Sequence, residues 1–162
     1  IYDLLKWGPT SANGFPMRIV FVTSDEGREK LASTAMSGNQ QKIRSAPATA
    51  ILGNDAQFFE KMDKLFPHNP GMAEMFRGNS DLADITAFRN GTLQGAYFMI
   101  AARAFGLDCG PMSGFDNAAC DELFFKGTNV KSNFLCSIGY GDPEGLFDRL
   151  PRPAFGEVCS VV

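Results

Sequence analysis

The stretch Trp7–Thr23 (WGPTSANGFPMRIVFVT) leaves the chain few local choices. Residues 1–7 read as the end of a helix, and Gly8-Pro9 stops it, because proline brings no backbone donor and crowds the preceding turn. Thr10-Ser11-Ala12-Asn13-Gly14 then favours a turn, since Ser, Thr and Asn side chains compete for nearby backbone groups. From Pro16 the chain enters the apolar, β-branched run Ile19-Val20-Phe21-Val22, which predicts a strand over 18–23. Such a turn gathers hydroxyls, an amide and free backbone N–H groups at a sheet edge. That mixture of donors and acceptors suits the rim of a polar heteroaromatic ring. An ordinary helix-to-strand connector has the same composition.

Downstream, helical and strand patterns alternate. Ser24-Asp25-Glu26 supplies an N-cap and an acidic first turn for a helix over 25–36, which Gly38 is expected to break. A short helix then carries Asn39 and Lys42 on one face, ending at Pro47. Ala48–Gly53 predicts a buried strand, and Asp55 is expected to cap a helix holding Phe58, Phe59, Met62 and Leu65. Residues 66–80 read as a mobile excursion. Pro67, Pro70, Gly71 and Gly78 make it a poor helix, while Phe66, Met72, Met75 and Phe76 make it apolar for a loop. The strongest helical period runs from Asp81 to Phe105, with Leu93, Ala96, Tyr97, Ile100, Ala101, Ala104 and Phe105 expected to face the core. Gly106 suits its C-terminal cap. Gly91, Gly95, Ala96, Ala101 and Ala102 allow another helix to approach closely. Leu107–Gly110 and Phe134–Tyr140 predict strands, and Asn117–Phe125 a helix. The alternation predicts an α+β, three-layer fold.

Composition narrows the function classes. With 162 residues and 44% hydrophobic content, residues 1–162 are expected to form one domain with a substantial core. No stretch approaches the roughly 20 apolar residues of a membrane span, and no secretory signal is visible, so a cytoplasmic protein is expected. A net charge of −3 with scattered basic residues argues against nucleic acid as a partner. The four cysteines, Cys109, Cys120, Cys136 and Cys159, fit no zinc spacing and read as reduced thiols. His68 is the only histidine, so no His-based metal site or Ser-His-Asp arrangement is expected. Glu74, Asp81 and Asp84 are as readily a solvated helix face as a metal site. Gly139-Tyr140-Gly141-Asp142-Pro143 lacks the G-x-G-x-x-G order of a dinucleotide loop.

The order Pro9-Thr10-Ser11-x-Asn13-x-x-Pro16 just before a strand resembles the FMN-dependent nitroreductase family. Further motifs agree in sequence order: Gly38-Asn39-Gln40-Gln41-Lys42, Cys109-Gly110-Pro111-Met112-Ser113-Gly114-Phe115-Asp116, Ser137-Ile138-Gly139-Tyr140-Gly141 and Arg149-Leu150-Pro151-Arg152. Within that family the chain is most similar to the subgroup of malonic semialdehyde reductase, through WGPTSAN, LFPH, FRN, LDCGPMSGFD and SNFLCSIGYGD. Family members begin with a basic segment that binds the FMN phosphate. Ile1 has no initiator Met before it, so that segment is expected to be missing here.

The resemblance implies a three-layer α/β/α fold with a mixed, mainly antiparallel sheet. It also implies a homodimer with shared sites, and hydride transfer from NADH or NADPH through FMN to a small aldehyde, nitroaromatic or quinone. No side chain is implied as catalytic, because the flavin carries the chemistry. Thr10, Ser11 and Asn13 would approach the ring from one subunit, and Asn39 and Lys42 from the other. Pro111, Met112, Ser113 and Gly114 would run along the ring face, and Arg149 and Arg152 would pair with the phosphate. Apart from the resemblance, segment 66–80, too apolar for a plain loop and too rich in Pro and Gly for a stable helix, is expected to lie over the flavin as a lid or pocket wall through Phe66, His68 and Phe76, with Arg77 or Arg89 holding a substrate carboxylate. The C-terminal arm would cross to the partner and add a strand. Lys42 on a solvated helix face, Asn39 as a cap and the arginines as surface charges are the plain alternatives. A flavin-binding protein with little turnover is the rival function.

Overall fold

The computed structural model describes residues 1–162. A short helix α1 (Tyr2–Leu5) and the turn around Ser11–Asn13 lead into β1 (Met17–Val22). Helices α2 (Asp25–Ala32) and α3 (Ser37–Ser45) follow, then β2 (Ala48–Asp55). Next come α4 (Met62–Leu65), α5 (Gly71–Arg77) and the long α6 (Ser80–Ala104). The chain continues through β3 (Asp108–Met112), α7 (Asn117–Phe124) and β4 (Val130–Gly139), and closes with α8 (Phe155–Val158).

Helix starts follow local chemistry. Ser24 Oγ accepts from Gly27 N at 3.1 Å, Asn79 Oδ1 from Leu82 N at 3.0 Å and Asp116 Oδ1 from Ala119 N at 3.0 Å. The end of α6 is a Schellman cap. Gly106 takes φ 79°, its N–H donates to Arg103 O at 2.9 Å, and Leu107 N donates to Ala102 O at 3.1 Å.

The four strands lie in the order β1-β2-β4-β3, and every pairing is antiparallel. The expected mixed character is therefore not present in this sheet. The strands' period of two turns alternate residues to opposite faces. On one face Val22, Ile51, Met112 and Leu135 pack under α2, α3 and α7 through Leu31, Ala32, Ile43 and Cys120. On the other, Met17, Ala50, Leu52 and Cys136 pack under α1 and α6 through Leu5, Phe98 and Ala101. These are the three layers expected. A separate cluster beside the sheet joins Phe58, Phe59 and Met62 to Ala73, Phe76, Ala83 and Ala87.

Several expectations give way to packing. Gly38 does not break a helix; it lies in the first turn of α3. Asp55 ends β2 and caps no helix, its carboxylate instead accepting from Arg18 Nη2 at 2.6 Å and from Gln57 N at 2.9 Å. Residues 71–77 form α5 despite the flanking glycines, because Ala73 and Phe76 have an apolar cluster to bury into. The largest correction concerns α6. Its buried face is Ala83, Ala87, Asn90, Gly91, Gln94, Gly95, Phe98, Ala101 and Ala102, whereas Leu93, Ile100 and Phe105 are exposed. Small side chains let the helix axis approach the sheet, so the bulky residues point away. Ile85, Phe88, Leu93 and Ile100 leave an apolar stripe on the outer side of the helix.

Candidate active site: two half-sites at opposite sheet edges

The turn before β1 is the most strained backbone in the chain. Ala12 (φ 48°), Asn13 (φ 49°) and Phe15 (φ 46°) are its only non-glycine residues at positive φ. For Ala12 and Phe15 this costs about 1–2 kcal/mol each, while Asn tolerates the left-handed region more readily. Gly14 is right-handed (φ −70°), and its small size serves packing, since a β-carbon there would stand 2.7 Å from the Phe58 ring. Hydrogen bonds hold the turn from three sides. Thr10 Oγ1 accepts from Phe15 N at 3.2 Å. Asn13 Nδ2 donates to Leu65 O at 2.7 Å. Asn90 on α6 meets Ser11 twice, accepting from its N–H at 2.8 Å and donating to its Oγ at 3.2 Å. Ser11 and Asn13 remain exposed. Beside them a cleft of about 720 Å³ runs along β1, lined by Asn13 and Arg18, the aromatic rings of Tyr2, Trp7 and Phe21, and Lys61.

The second half-site lies at the other edge, along β3. The Gly114 carbonyl accepts from Asn39 Nδ2 at 3.1 Å and from Met36 N at 3.0 Å, and Asp116 N donates to Thr34 O at 2.8 Å. The loop after β3 is thereby fastened to the start of α3. Lys42, one turn beyond Asn39, is exposed and stands outside every ion pair of the chain. It lines a cleft of about 660 Å³ together with Pro47, Cys109, Gly110, Pro111 and Ser137. Both cleft volumes suit a small-molecule ligand. Met112 contributes to this cleft, yet its side chain is buried in the core beneath α2 and α7, so only its backbone faces a ligand. Burial raises the Cys109 thiol pKa and pushes those of Cys120 and Cys136 up to about 12. These thiols stay protonated and inert near neutral pH. No cluster of three or more His, Cys, Asp or Glu side chains suited to a metal ion forms, and no helix is long and apolar enough to cross a membrane.

The structure thus brings Asn39, Lys42 and Pro111–Gly114 together, and Thr10, Ser11 and Asn13 together, but keeps the two groups apart. Three strand spacings, about 14 Å, separate the sheet edges on which they lie.

The substrate-side expectations fare unevenly. The Phe66 and His68 rings meet with centroids 4.0 Å apart and planes tilted by 55°, close to the Asn13–Leu65 contact. Phe76 is not a pocket wall; it is buried in the apolar cluster, 5.0 Å from the Phe58 ring. Arg77 is not free for a substrate. Its guanidinium forks onto Glu60 at 3.0–3.1 Å and also pairs with Glu74, and the hydrogen bonds it donates to Glu60 and then to Glu74 raise its pKa. Arg89 is exposed on α6. Arg149 and Arg152 lie on an exposed tail and line neither cleft, Arg152 donating only to the carbonyls of Leu150 and Pro151. Sequence reasoning touched Asn90 only as the end of the FRN motif, with no role, and missed Gln94. Two amides four residues apart on a helix of small residues were the available signal, because a buried amide demands a partner.

Residues 1–141 match the description of the nitroreductase family. The chain is 54% identical over 163 residues to a Cupriavidus pinatubonensis protein provisionally named NADH dehydrogenase/NAD(P)H nitroreductase, covering 99% of this chain and 83% of that one. An Exiguobacterium sibiricum protein provisionally named a nitroreductase, solved in complex with FMN, superposes with a TM-score of 0.87 at 20% identity, covering 99% of this chain and 83% of that one. The NADPH:FMN oxidoreductase of Vibrio harveyi, solved with NAD⁺, superposes with a TM-score of 0.72 at 23% identity, covering 98% and 64% respectively. This chain belongs to the nitroreductase family.

Proposed function

We propose that this chain is an FMN-dependent NAD(P)H oxidoreductase acting as a homodimer. Each of its two sites joins the 10–14 turn of one subunit to Asn39, Lys42 and the 111–114 loop of the other. The observation that carries the proposal is the separation just described. Two polar half-sites stand at opposite sheet edges, on a subunit whose longest helix leaves Ile85, Phe88, Leu93 and Ile100 unburied. A second copy packed on that stripe buries it and supplies each half-site with its complement.

The donor set fits a flavin. The Ser11 hydroxyl keeps its own proton to donate, because its oxygen already accepts from Asn90. Asn39 Nδ2 spends one proton on Gly114 O and keeps a second, along with its carbonyl oxygen. Lys42, which lines the second cleft, would supply a cation to offset the negative charge of a reduced ring. Gly114 lets backbone approach the ring face without a side chain between. Arg149 and Arg152 are the tail's candidates to fork onto the phosphate oxygens. When bound, the flavin supplies the two-electron chemistry between nicotinamide and acceptor. The residues themselves bind, orient and exclude water.

The acceptor we favour is a small carboxylated aldehyde, malonic semialdehyde in particular, ahead of nitroaromatics and quinones. The motifs shared with that subgroup support it. With Arg77 committed to Glu60 and Glu74, Arg89 is the guanidinium left to hold the carboxylate, beneath a lid of Phe66 and His68.

The test is direct. The purified protein is heated, the released flavin is identified by chromatography, and NADH and NADPH oxidation is followed with and without each acceptor. About one FMN per subunit and acceptor-dependent turnover are expected. Bound FMN without turnover would mark a flavin-sequestering protein, and no FMN uptake even after reconstitution would defeat the assignment. Arg89→Ala is expected to narrow the preference for malonic semialdehyde over an uncharged aldehyde of similar size.

A further inference from the structure

Two buried amides on α6 were given no role above, although Asn90 closes the FRN motif. Asn90 is 7% exposed and Gln94 is fully buried. They stand one helical turn apart and reach the two ends of the strained turn. Asn90 Oδ1 accepts from Ser11 N at 2.8 Å, and Gln94 Oε1 accepts from Met17 N at 3.0 Å. Ala12, Asn13 and Phe15, the chain's non-glycine residues at positive φ, lie between these two anchors.

The orientation of both amides is forced. A backbone N–H can only donate, so each amide must turn its oxygen to the strand. For Asn90 this leaves Nδ2 to donate to Ser11 Oγ at 3.2 Å and to Thr86 O at 2.8 Å. For Gln94 it leaves Nε2 buried with no partner. Turning Gln94 over would set two donors against each other at Met17. A buried unpaired amide is a standing cost that an aliphatic side chain would not carry. Against that cost stands the one bond the oxygen makes, to Met17 N–H, which an aliphatic side chain would leave unpaired.

We propose that Asn90 and Gln94 are positioning residues: Gln94 fixes where β1 begins, and Asn90 both holds the left-handed turn and fills the Ser11 oxygen so that the hydroxyl proton points outward to a ligand. The inference rests on the flavin-binding reading of that turn. The outer face of α6 carries the apolar stripe, so the same helix ties the turn to the proposed subunit interface.

The experiment measures FMN affinity by fluorescence quenching and amide hydrogen exchange at saturating FMN, on the full chain. Asn90→Leu is expected to weaken FMN binding about tenfold, the effect of losing one to two hydrogen bonds, and to speed exchange over residues 11–17 but not in β2. Gln94→Leu trades one unpaired buried donor, Nε2, for another, Met17 N. Its melting temperature is expected to stay close to wild type while Met17 exchanges faster and FMN binds more weakly, a split that a purely structural residue would not produce. Asn90→Asp still accepts from Ser11 N but turns the hydroxyl inward. Exchange at Ser11 is expected to match wild type, while FMN affinity falls as far as in Ser11→Ala. The double variant Asn90→Asp/Ser11→Ala is expected to bind no more weakly than either single one. A further drop in the double variant would mean simple charge repulsion and would overturn the hydroxyl-setting role. Wild-type affinity and unchanged exchange in Asn90→Leu and Gln94→Leu would overturn the whole inference. If Asn90→Leu fails to fold, Asn90→Asp decides. If the wild-type chain binds no FMN, the functional reading fails, while exchange at Ser11 and Met17 still tests the anchoring.

Discussion

The Asn39 side-chain amide donates to the Gly114 carbonyl at 3.1 Å, and a β-carbon on Gly114 would stand 2.8 Å from that same nitrogen. The other near neighbour of such a β-carbon is Met36 Sδ, at 3.2 Å. Both belong to the outer parts of flexible side chains and can move, at the expense of the Asn39 bond. Gly114→Ala is therefore expected to leave stability within about 1 kcal/mol of wild type, because no backbone must shift. The displaced Asn39 amide no longer fastens the loop, and FMN affinity is expected to fall about tenfold. Thermal melts beside FMN titrations separate the two effects. An unchanged affinity would remove Asn39 and this loop from the site.

Lys42 is exposed and makes no ion pair within the chain, so Lys42→Ala is expected to change stability by no more than about 0.5 kcal/mol. A cation beside developing negative charge in a partly dry site is worth a few kcal/mol, so flavin reduction by NAD(P)H is expected to slow by about a hundredfold. Stopped-flow reduction at matched FMN occupancy provides the measurement. A wild-type rate would return Lys42 to an ordinary solvated helix face.

The stripe on α6 makes its own prediction. Ile100 is 65% exposed in the single chain, so a charge there costs the isolated fold little. Buried against a second copy, Ile100→Glu places an unpaired carboxylate in an apolar interface, at a cost of several kcal/mol. Light scattering is expected to report a dimer for the wild type and a monomer for Ile100→Glu, with flavin lost alongside. A variant that stays dimeric and yellow would mean that this face of α6 is not the interface.

Gly91 opposes two general effects. Alanine is the better helix former by about 1 kcal/mol. Here, however, its β-carbon would fall 1.7 Å from Oδ1 of the buried Asn54 on β2. Overpacking of that kind typically costs 1–3 kcal/mol, so Gly91→Ala is expected to destabilise by about 1 kcal/mol net in urea unfolding. A stabilised variant would show that Asn54 swings aside at no cost.

The thiols tie burial to pH. Cys120 and Cys136 are held up to about 12 by burial, against about 9 for a free thiol. As pH rises past 9, the unfolded chain releases these protons while the folded chain keeps them, so the unfolded state gains and stability falls between about 9 and 12. Urea unfolding across that range is expected to show the decline, and Cys120→Ala with Cys136→Ala to flatten it. At neutral pH, Ellman's reagent is expected to modify the exposed Cys159 at once and these two only on unfolding. Prompt reaction of either buried thiol would show that its pocket opens.

Much of this molecule was legible in its residues because the deciding interactions are local. Pro9, Ser24 and Gly106 act within one turn of themselves, the β-branched run at 19–22 makes a strand almost anywhere, and the motif order carried the family. Tertiary structure alone decided which side of α6 faces the sheet. The helical period there marks a bulky stripe, but close packing rewards the smaller residues, and only the sheet's position settles which side loses water. For the same reason Phe76 is core, because a distant ring, Phe58, receives it. Arg77 is committed because Glu60, seventeen residues away, folds beside it. Left-handed φ falls on Ala12, Asn13 and Phe15, not on Gly14, because Asn90, Gln94 and Leu65 hold the turn from outside, and a neighbour-by-neighbour reading of the chain contains none of those contacts.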